Sequence, residues 1–310
     1  MKVLVSDPLA QSCIDEMKKA GLDVTVKTGL KSQEVAEIIA PFEVLAVRSG
    51  TKVTAQIIDA AKNLKLIVRA GVGLDNVDAE AAEKKGIRVE NTPHATTTTV
   101  AEHTLALMLS LARRIPQAFA SLQKGEWDRK TFQGVELRGK TLGIVGLGRI
   151  GQEVAKRAKV FGMTVIAHDS VVNSEVAEAL EIELMPLEDL IKKSDFVSIH
   201  LPLTDATHHL FDKALMAKMK KGSYLINASR GGIVDEEALA EMLKAGDIAG
   251  AALDVFEEEP PKGLHPLLKL PQVIAVPHLG AMTKEGQERA GAEAAHLIIE
   301  FAKVSLRGTK

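Results

Sequence analysis

Cysteine is nearly absent. The one present, Cys13, can close no intrachain disulfide and no zinc site of the paired-cysteine type. Charge of one sign is missing too: Lys and Arg total 39 against 41 Asp and Glu, a formal net charge of −2. That balance supplies no general attraction to nucleic acid or to an anionic membrane. Long apolar runs are also lacking. The segment Met1–Cys13 carries one Lys and a short apolar stretch broken by Ser6, Asp7 and Pro8, too short for a secretory signal. Nothing approaches the roughly 20 apolar residues of a membrane span. A cytoplasmic protein with no nucleic-acid or membrane partner is therefore expected. What is there is ordinary globular composition, 46% hydrophobic and 26% charged, over 310 residues, enough for about two domains.

Short apolar segments alternate with helical ones through the first hundred residues. Strands are predicted at Lys2–Ser6, Leu22–Val26, Val44–Val47, Leu66–Val68 and Ile87–Val89. Helices between them make βαβ units and a parallel sheet, with a strand count that suggests a flavodoxin-like layer. Val100–Arg113 reads as a helix apolar on most sides, buried between domains or subunits. Ala118–Leu137 reads as an irregular polar arm carrying the only tryptophan, Trp127. That helix and arm together predict a homodimer or homotetramer. A second βαβ series starts at Lys140, with strands at Thr141–Val145, Thr164–Ala167, Phe196–His200, Tyr224–Asn227, Gly250–Asp254 and Val273–Val276. Lys284–Val304 reads as one long helix that returns to the first domain. The expected architecture is α/β, with two doubly wound parallel-sheet domains. Residues 1–97 plus 285–310 would form a flavodoxin-like domain, and 98–284 a Rossmann domain.

Gly146-Leu147-Gly148-Arg149-Ile150-Gly151 matches GxGxxG, follows the apolar strand TLGIV and opens the helical stretch QEVAKRAKVFG. That context makes the motif a dinucleotide fingerprint. Gly146 permits the tight turn, Gly148 lets a pyrophosphate approach the backbone, and Gly151 lets helix and strand pack closely. Helix N–H groups then face the phosphates. Asp169 lies 23 residues past Gly146, the spacing of a carboxylate that accepts hydrogen bonds from ribose hydroxyls and repels a 2′-phosphate. Ser170-Val171-Val172-Asn173 offers no cation to offset that repulsion, so NAD is expected over NADP.

Three further segments follow predicted strands: Arg230 before Gly231-Gly232, the carboxylates of Asp254–Glu259, and His278 in Pro277–Gly280. Strand carboxyl ends share one edge of a parallel sheet, where ligands bind. Oxidising a secondary alcohol needs a base for the hydroxyl proton, and histidine has the pKa for it. A carboxylate on the other ring nitrogen would orient the imidazole, and an Arg can grip a substrate carboxylate with two parallel bonds. Taken singly, each also reads as a structural histidine, a solvated acidic turn or a surface ion pair. His200, His208 and His209 lack the spacing of a metal site, and none is predicted. His103, on the apolar helix, reads as a hydrogen-bonded core or interface residue.

GLGRIG, NASRGGIVDEEAL, AALDVFEEEPP and VPHLGAMT together resemble the D-isomer-specific 2-hydroxyacid dehydrogenases. The likeness runs through VRSGTKVTAQIIDAA, RAGVGLDNVDAEAA and KGEWDRKTFQGVELRGKTLGIVGLGRIG to cover nearly the whole chain. It implies Arg230, Glu259 and His278 as the catalytic set. Glu259 is chosen over Glu257 and Glu258 because it directly precedes the proline pair. It implies cofactor contacts at Val72, Gly146, Gly148, Arg149, Ile150, Gly151, Asp169, Leu201, Ala228, Ser229, Arg230, Asp254, His278 and Gly280. For a phosphorylated 2-hydroxy acid it implies Arg48, Ser49, Arg69, Gly71, Val72, Gly73, Arg129, Arg230 and His278, with Arg48 and Arg69 near the phosphate. Arg129 would reach a neighbouring subunit. Leu201, where relatives commonly carry Thr, and Met282, in GAMT where GAST is usual, depart from the pattern and imply changed packing near the nicotinamide. Longer members carry regulatory C-terminal domains, so the likeness is either to a short form or to the catalytic part of a longer chain. It leaves open a reductase of glyoxylate, hydroxypyruvate or another 2-oxo acid, and an NAD(H)-sensing interaction protein.

Overall fold

The computed structural model describes residues 1–171 and 174–307. Two compact units emerge, one from 1–97 with 281–310 and one from 98–280.

The first unit contains β1 (Lys2–Val5), α1 (Gln11–Lys19), β2 (Asp23–Val26), α2 (Ser32–Ile38), β3 (Val44–Val47), α3 (Ala55–Ala60), β4 (Leu66–Arg69), α4 (Ala79–Lys84) and β5 (Arg88–Asn91). The strands pair in parallel in the order β2-β1-β3-β4-β5, which is the flavodoxin-like order. Central strands such as VLAV are buried along their whole length, because successive side chains enter opposite cores. Val3, Val5, Val44, Ala46, Leu66 and Val68 pack with α1 and the C-terminal helix through Met17, Ala294 and Ile298. Leu4, Leu45, Val47 and Ile67 pack with α2 and α3 through Val35, Ile57 and Ile58.

The second unit contains α5 (Thr97–Arg113), α6 (Ile115–Gln123), β6 (Thr141–Val145), α7 (Arg149–Val160), β7 (Thr164–His168), α8 (Ser174–Ala179), β8 (Glu183–Leu184), α9 (Leu187–Lys193), β9 (Phe196–Ile199), α10 (Lys213–Met216), β10 (Ser223–Asn227), α11 (Glu236–Ala245), β11 (Ile248–Leu253) and β12 (Val273–Ala275). Helix α12 (Lys284–Arg307) closes the first unit. The seven strands run in parallel in the order β12-β11-β10-β9-β6-β7-β8. This is a Rossmann arrangement extended by one strand, with its order reversing between β6 and β9.

Two expectations need correction. The arm is not irregular from Ala118: its first part belongs to α6. Arg114 turns the chain in the left-handed region (φ 52°) and Pro116 sits in the first helical turn, where a missing N–H costs nothing. The second correction concerns α5. It begins at Thr97, taking in the threonine run. Ala101, Leu105, Met108 and Leu111 pack with Leu142, Ile144 and Phe196 of the second unit's own sheet, which accounts for its apolar character within the chain. In α6 and the segment after it, Ile115, Phe119, Leu122 and Trp127 are exposed. Among the described residues no helix is long and apolar enough to cross a membrane.

Candidate active site

The fingerprint turn joins β6 to α7. A Cβ at Gly146 would lie 2.5 Å from the His200 carbonyl oxygen, and one at Gly151 would overlap the Gly146 carbonyl. Gly148 faces open space. No side chain caps the start of α7 and no acidic residue lies in its first turn, so its free N–H groups fit a pyrophosphate. Arg149 is exposed, Ile150 is partly buried against the core, and Leu201 packs beneath Gly146. The Asp169 carboxylate accepts from Leu147 N (2.7 Å) and Val171 N (2.8 Å). It therefore braces the glycine turn. Val172 and Asn173, part of the stretch read as lacking a cation, lie outside the described residues. Among the described residues no group of three or more His, Cys, Asp or Glu could hold a metal ion.

The catalytic candidates stand just past β10, β11 and β12. His278 has φ 51°, a backbone conformation that costs a non-glycine residue energy and is held by its surroundings. Its N–H donates to Asp254 O (2.8 Å), while the buried Asp254 carboxylate accepts from Leu279 N (2.6 Å) and Gly280 N (2.8 Å). The His278 ring donates from Nδ1 to Glu259 Oε2 (2.7 Å), and Glu259 Oε1 accepts from Phe256 N (3.1 Å). Because the carboxylate only accepts, the ring proton sits on Nδ1 and Nε2 is left for chemistry. The bond to Glu259 holds the His278 pKa above its usual 6.5, with Asp254 adding to the rise and desolvation and the Arg230 charge opposing it. Arg230 leaves the turn Ala228–Arg230, with Nη1 donating to Ser229 O (2.7 Å).

The first unit carries the other candidates at the ends of β3 and β4. Arg48 Nη1 contacts Pro8 O (3.3 Å) and Gln287 Oε1 (3.4 Å), and Nη2 lies 4.0 Å from Met282 Sδ. Ser49 beside it is exposed. Arg69 folds over Gly71, where a Cβ would overlap its guanidinium. In the same loop, Val72 O accepts from Asn91 Nδ2, and Gly73 is partly buried. Arg129 is exposed in the second unit.

Sequence reasoning missed the residues that hold these turns. Buried Asn227 donates to Arg230 O (2.8 Å) and accepts from Ser229 N (3.1 Å) and Oγ (2.8 Å). Buried Asp7 accepts from Arg48 N (2.6 Å), Thr51 N (3.0 Å) and Thr51 Oγ1 (2.9 Å). The available signal was a polar residue ending an apolar strand run, because such groups become buried and must find partners. His103 Nε2 lies 3.1 Å from Asp254 Oδ1. His200 is half-buried beside Ser198, and desolvation pushes its pKa down to about 4.

Residues 105–280 match the model of the D-isomer specific 2-hydroxyacid dehydrogenase NAD binding domain. The chain belongs to that family. A D-3-phosphoglycerate dehydrogenase of Methanocaldococcus jannaschii is 52% identical over 309 residues, covering 99% of this chain and 58% of that protein. The chain thus spans little more than half the length of that relative. A hydroxypyruvate reductase of Thermotoga maritima is 49% identical over 295 residues, covering 94% of this chain and 95% of that protein. Among solved structures, the TT0316 protein of Thermus thermophilus superposes with a TM-score of 0.89 at 39% identity, covering 97% of both chains. The residues matched by the NAD binding domain model fall within the 98–280 unit.

Proposed function

We propose that this chain interconverts D-3-phosphoglycerate and 3-phosphohydroxypyruvate with NAD, the step that would open serine biosynthesis. The observation that carries the reading is the His278–Glu259 pair (2.7 Å) within reach of the Arg230 charge. It occurs in a chain about half identical to D-3-phosphoglycerate dehydrogenases across nearly its whole length. The turn Gly146–Gly151 and the N-terminus of α7 would hold the pyrophosphate, and Asp169 the adenosine ribose. Val72, Leu201, Ala228–Arg230, Asp254 and His278–Gly280 would line the rest of the cofactor. NAD when bound supplies the hydride acceptor. His278 Nε2 takes the hydroxyl proton during oxidation and returns it during reduction. Glu259 stabilises the imidazolium so formed, and Arg230 binds the substrate carboxylate and polarises the neighbouring carbonyl. Backbone N–H groups of Gly71–Gly73 would assist with that carboxylate. Arg48, with Ser49, and Arg69 would take the phosphate.

A second reading, reduction of hydroxypyruvate, is favoured by the Thermotoga maritima relative, because that likeness covers 95% of its length. Initial rates with 3-phosphoglycerate, D-glycerate, D-lactate and 2-hydroxyglutarate plus NAD, and with hydroxypyruvate plus NADH, separate the two. Preference for 3-phosphoglycerate by kcat/KM supports the first, and preference for the unphosphorylated pair overturns it. No turnover with any of them supports a third reading, an NAD(H)-sensing interaction protein. The same proposal includes a cytoplasmic homodimer or homotetramer joined through the exposed Phe119, Leu122 and Trp127, whose arm would bring Arg129 to a neighbouring copy. Light scattering at micromolar concentration is expected to give at least twice the 33.2 kDa chain mass. A monomer mass would overturn the assembly.

A further inference from the structure

Two glutamates and two histidines outside the acid–base pair form a cluster where the loop after β11 meets the head of α11. Gly231 lies directly on that loop, since a Cβ there would overlap Phe256 O. The turn bearing Arg230 and the loop bearing Glu259 therefore stack backbone on backbone. Glu236, the first residue of α11, crosses this junction. Its Oε1 accepts from Glu257 N (2.8 Å), and its Oε2 is 3.0 Å from His265 Nε2. The Glu257 side chain reaches back: Oε1 lies 3.5 Å from Glu236 N and accepts from His209 Nε2 (2.9 Å). His265 Nδ1 accepts from Leu267 N (3.4 Å), which puts the ring proton on Nε2, facing Glu236. The Glu236 and Glu257 charges repel each other, and each carboxylate has a histidine beside it to offset that, His265 on Glu236 Oε2 and His209 on Glu257 Oε1.

The bonded path runs on to the chemistry. Glu257 N is tied to α11, the adjacent Phe256 N is bonded to Glu259 Oε1, and Glu259 Oε2 holds the His278 ring. The Glu236 side chain is only 12% exposed, so this bond is shielded from competing water. Burial and the Glu257 charge push its pKa up, while the bond from Glu257 N and the two histidines push it down.

We propose that Glu236 is a positioning residue, which clasps the Phe256–Glu259 loop to the start of α11 and so keeps the Glu259 carboxylate on His278 Nδ1. The inference rests on the reading of Glu259 and His278 as the acid–base pair. Glu236 itself would touch neither substrate nor cofactor.

The test follows the His278 ring by NMR titration of histidine-labelled protein, the signal assigned with His278→Gln, alongside kcat and KM. The groups facing His278 are Glu259, Asp254 and Arg230, and those facing Glu236 are Glu257, His209 and His265, so Glu236 substitutions leave the first set intact. Glu236→Asp keeps the charge and its place at the helix start but shortens the reach. The His278 pKa is expected to fall toward the ordinary 6.5 and kcat to drop about tenfold to a hundredfold, with KM for NADH unchanged. Glu236→Ala should do the same, and Glu236→Gln, which keeps the acceptor oxygen, should stay close to wild type. An unchanged His278 titration in both Glu236→Asp and Glu236→Ala overturns the clasp, whatever happens to melting temperature. A Gln variant that shifts as far as Ala also overturns it. Wild-type protein with no turnover on any hydroxy acid would defeat the functional reading instead, and the titration would still report the clasp.

Discussion

At the carboxyl edge of the seven-stranded sheet, short bonds hold the candidate acid–base pair. His278 is fixed through Glu259 at 2.7 Å, and its turn through Asp254 at 2.6–2.8 Å. At the carboxyl edge of the five-stranded sheet, the Arg48 backbone is equally fixed by Asp7 at 2.6 Å. Its guanidinium, however, meets a carbonyl, an amide oxygen and a thioether at 3.3, 3.4 and 4.0 Å. None of those partners is charged, so an arriving anion displaces no ion pair. The difference teaches a division of labour. The geometry of the proposed acid–base pair is built in advance, as proton transfer would demand, while the cation proposed for the phosphate stays exchangeable.

The sharpest break in that comparison is His278→Ala. Turnover is expected to fall about 10²–10⁴-fold, while NADH binding, followed by fluorescence titration, persists. Turnover near wild type would remove His278 from the chemistry. Next in size, Arg48→Ala or Arg69→Ala should lower kcat/KM for 3-phosphoglycerate about ten- to a hundredfold. Charge-assisted bonds contribute roughly 1.5–3 kcal/mol each, and 1.4 kcal/mol is about tenfold. Rates on unphosphorylated D-2-hydroxy acids should barely move, and an equal loss on both classes would make these arginines structural. The smallest effect is a displacement along the pH axis. Glu259 raises the His278 pKa, so Glu259→Gln lowers it. Oxo-acid reduction needs the imidazolium, and its falling limb should move to lower pH; oxidation needs the neutral ring, and its rising limb should move the same way. Unchanged pH–rate profiles would show that another group pairs with the histidine.

Much of this was legible beforehand because it is local. Apolar runs such as VLAV and TLGIV predict strands buried on both faces, and Gly146–Gly151 with Asp169 predicts the nucleotide turn from spacing alone. Helix α6 was hidden because Ala118–Leu137 reads as one irregular polar arm, and the left-handed turn at Arg114 with Pro116 in the first helical turn shows that a new helix opens there. The apolar side of α5 was legible as needing cover, but which surface covers it was not.

The sequence by itself determined the two βαβ series, the fingerprint and the residue types that acid–base chemistry requires, since each depends on neighbours a few positions apart. Only the tertiary structure decided which atoms meet: Glu259 Oε2 on His278 Nδ1; Asp254 under its turn; Glu236 across to Glu257. Those contacts join segments that parallel pairing brings to one sheet edge. Hydrogen bonds require donor and acceptor within about 3 Å, a condition that spacing along the chain does not specify.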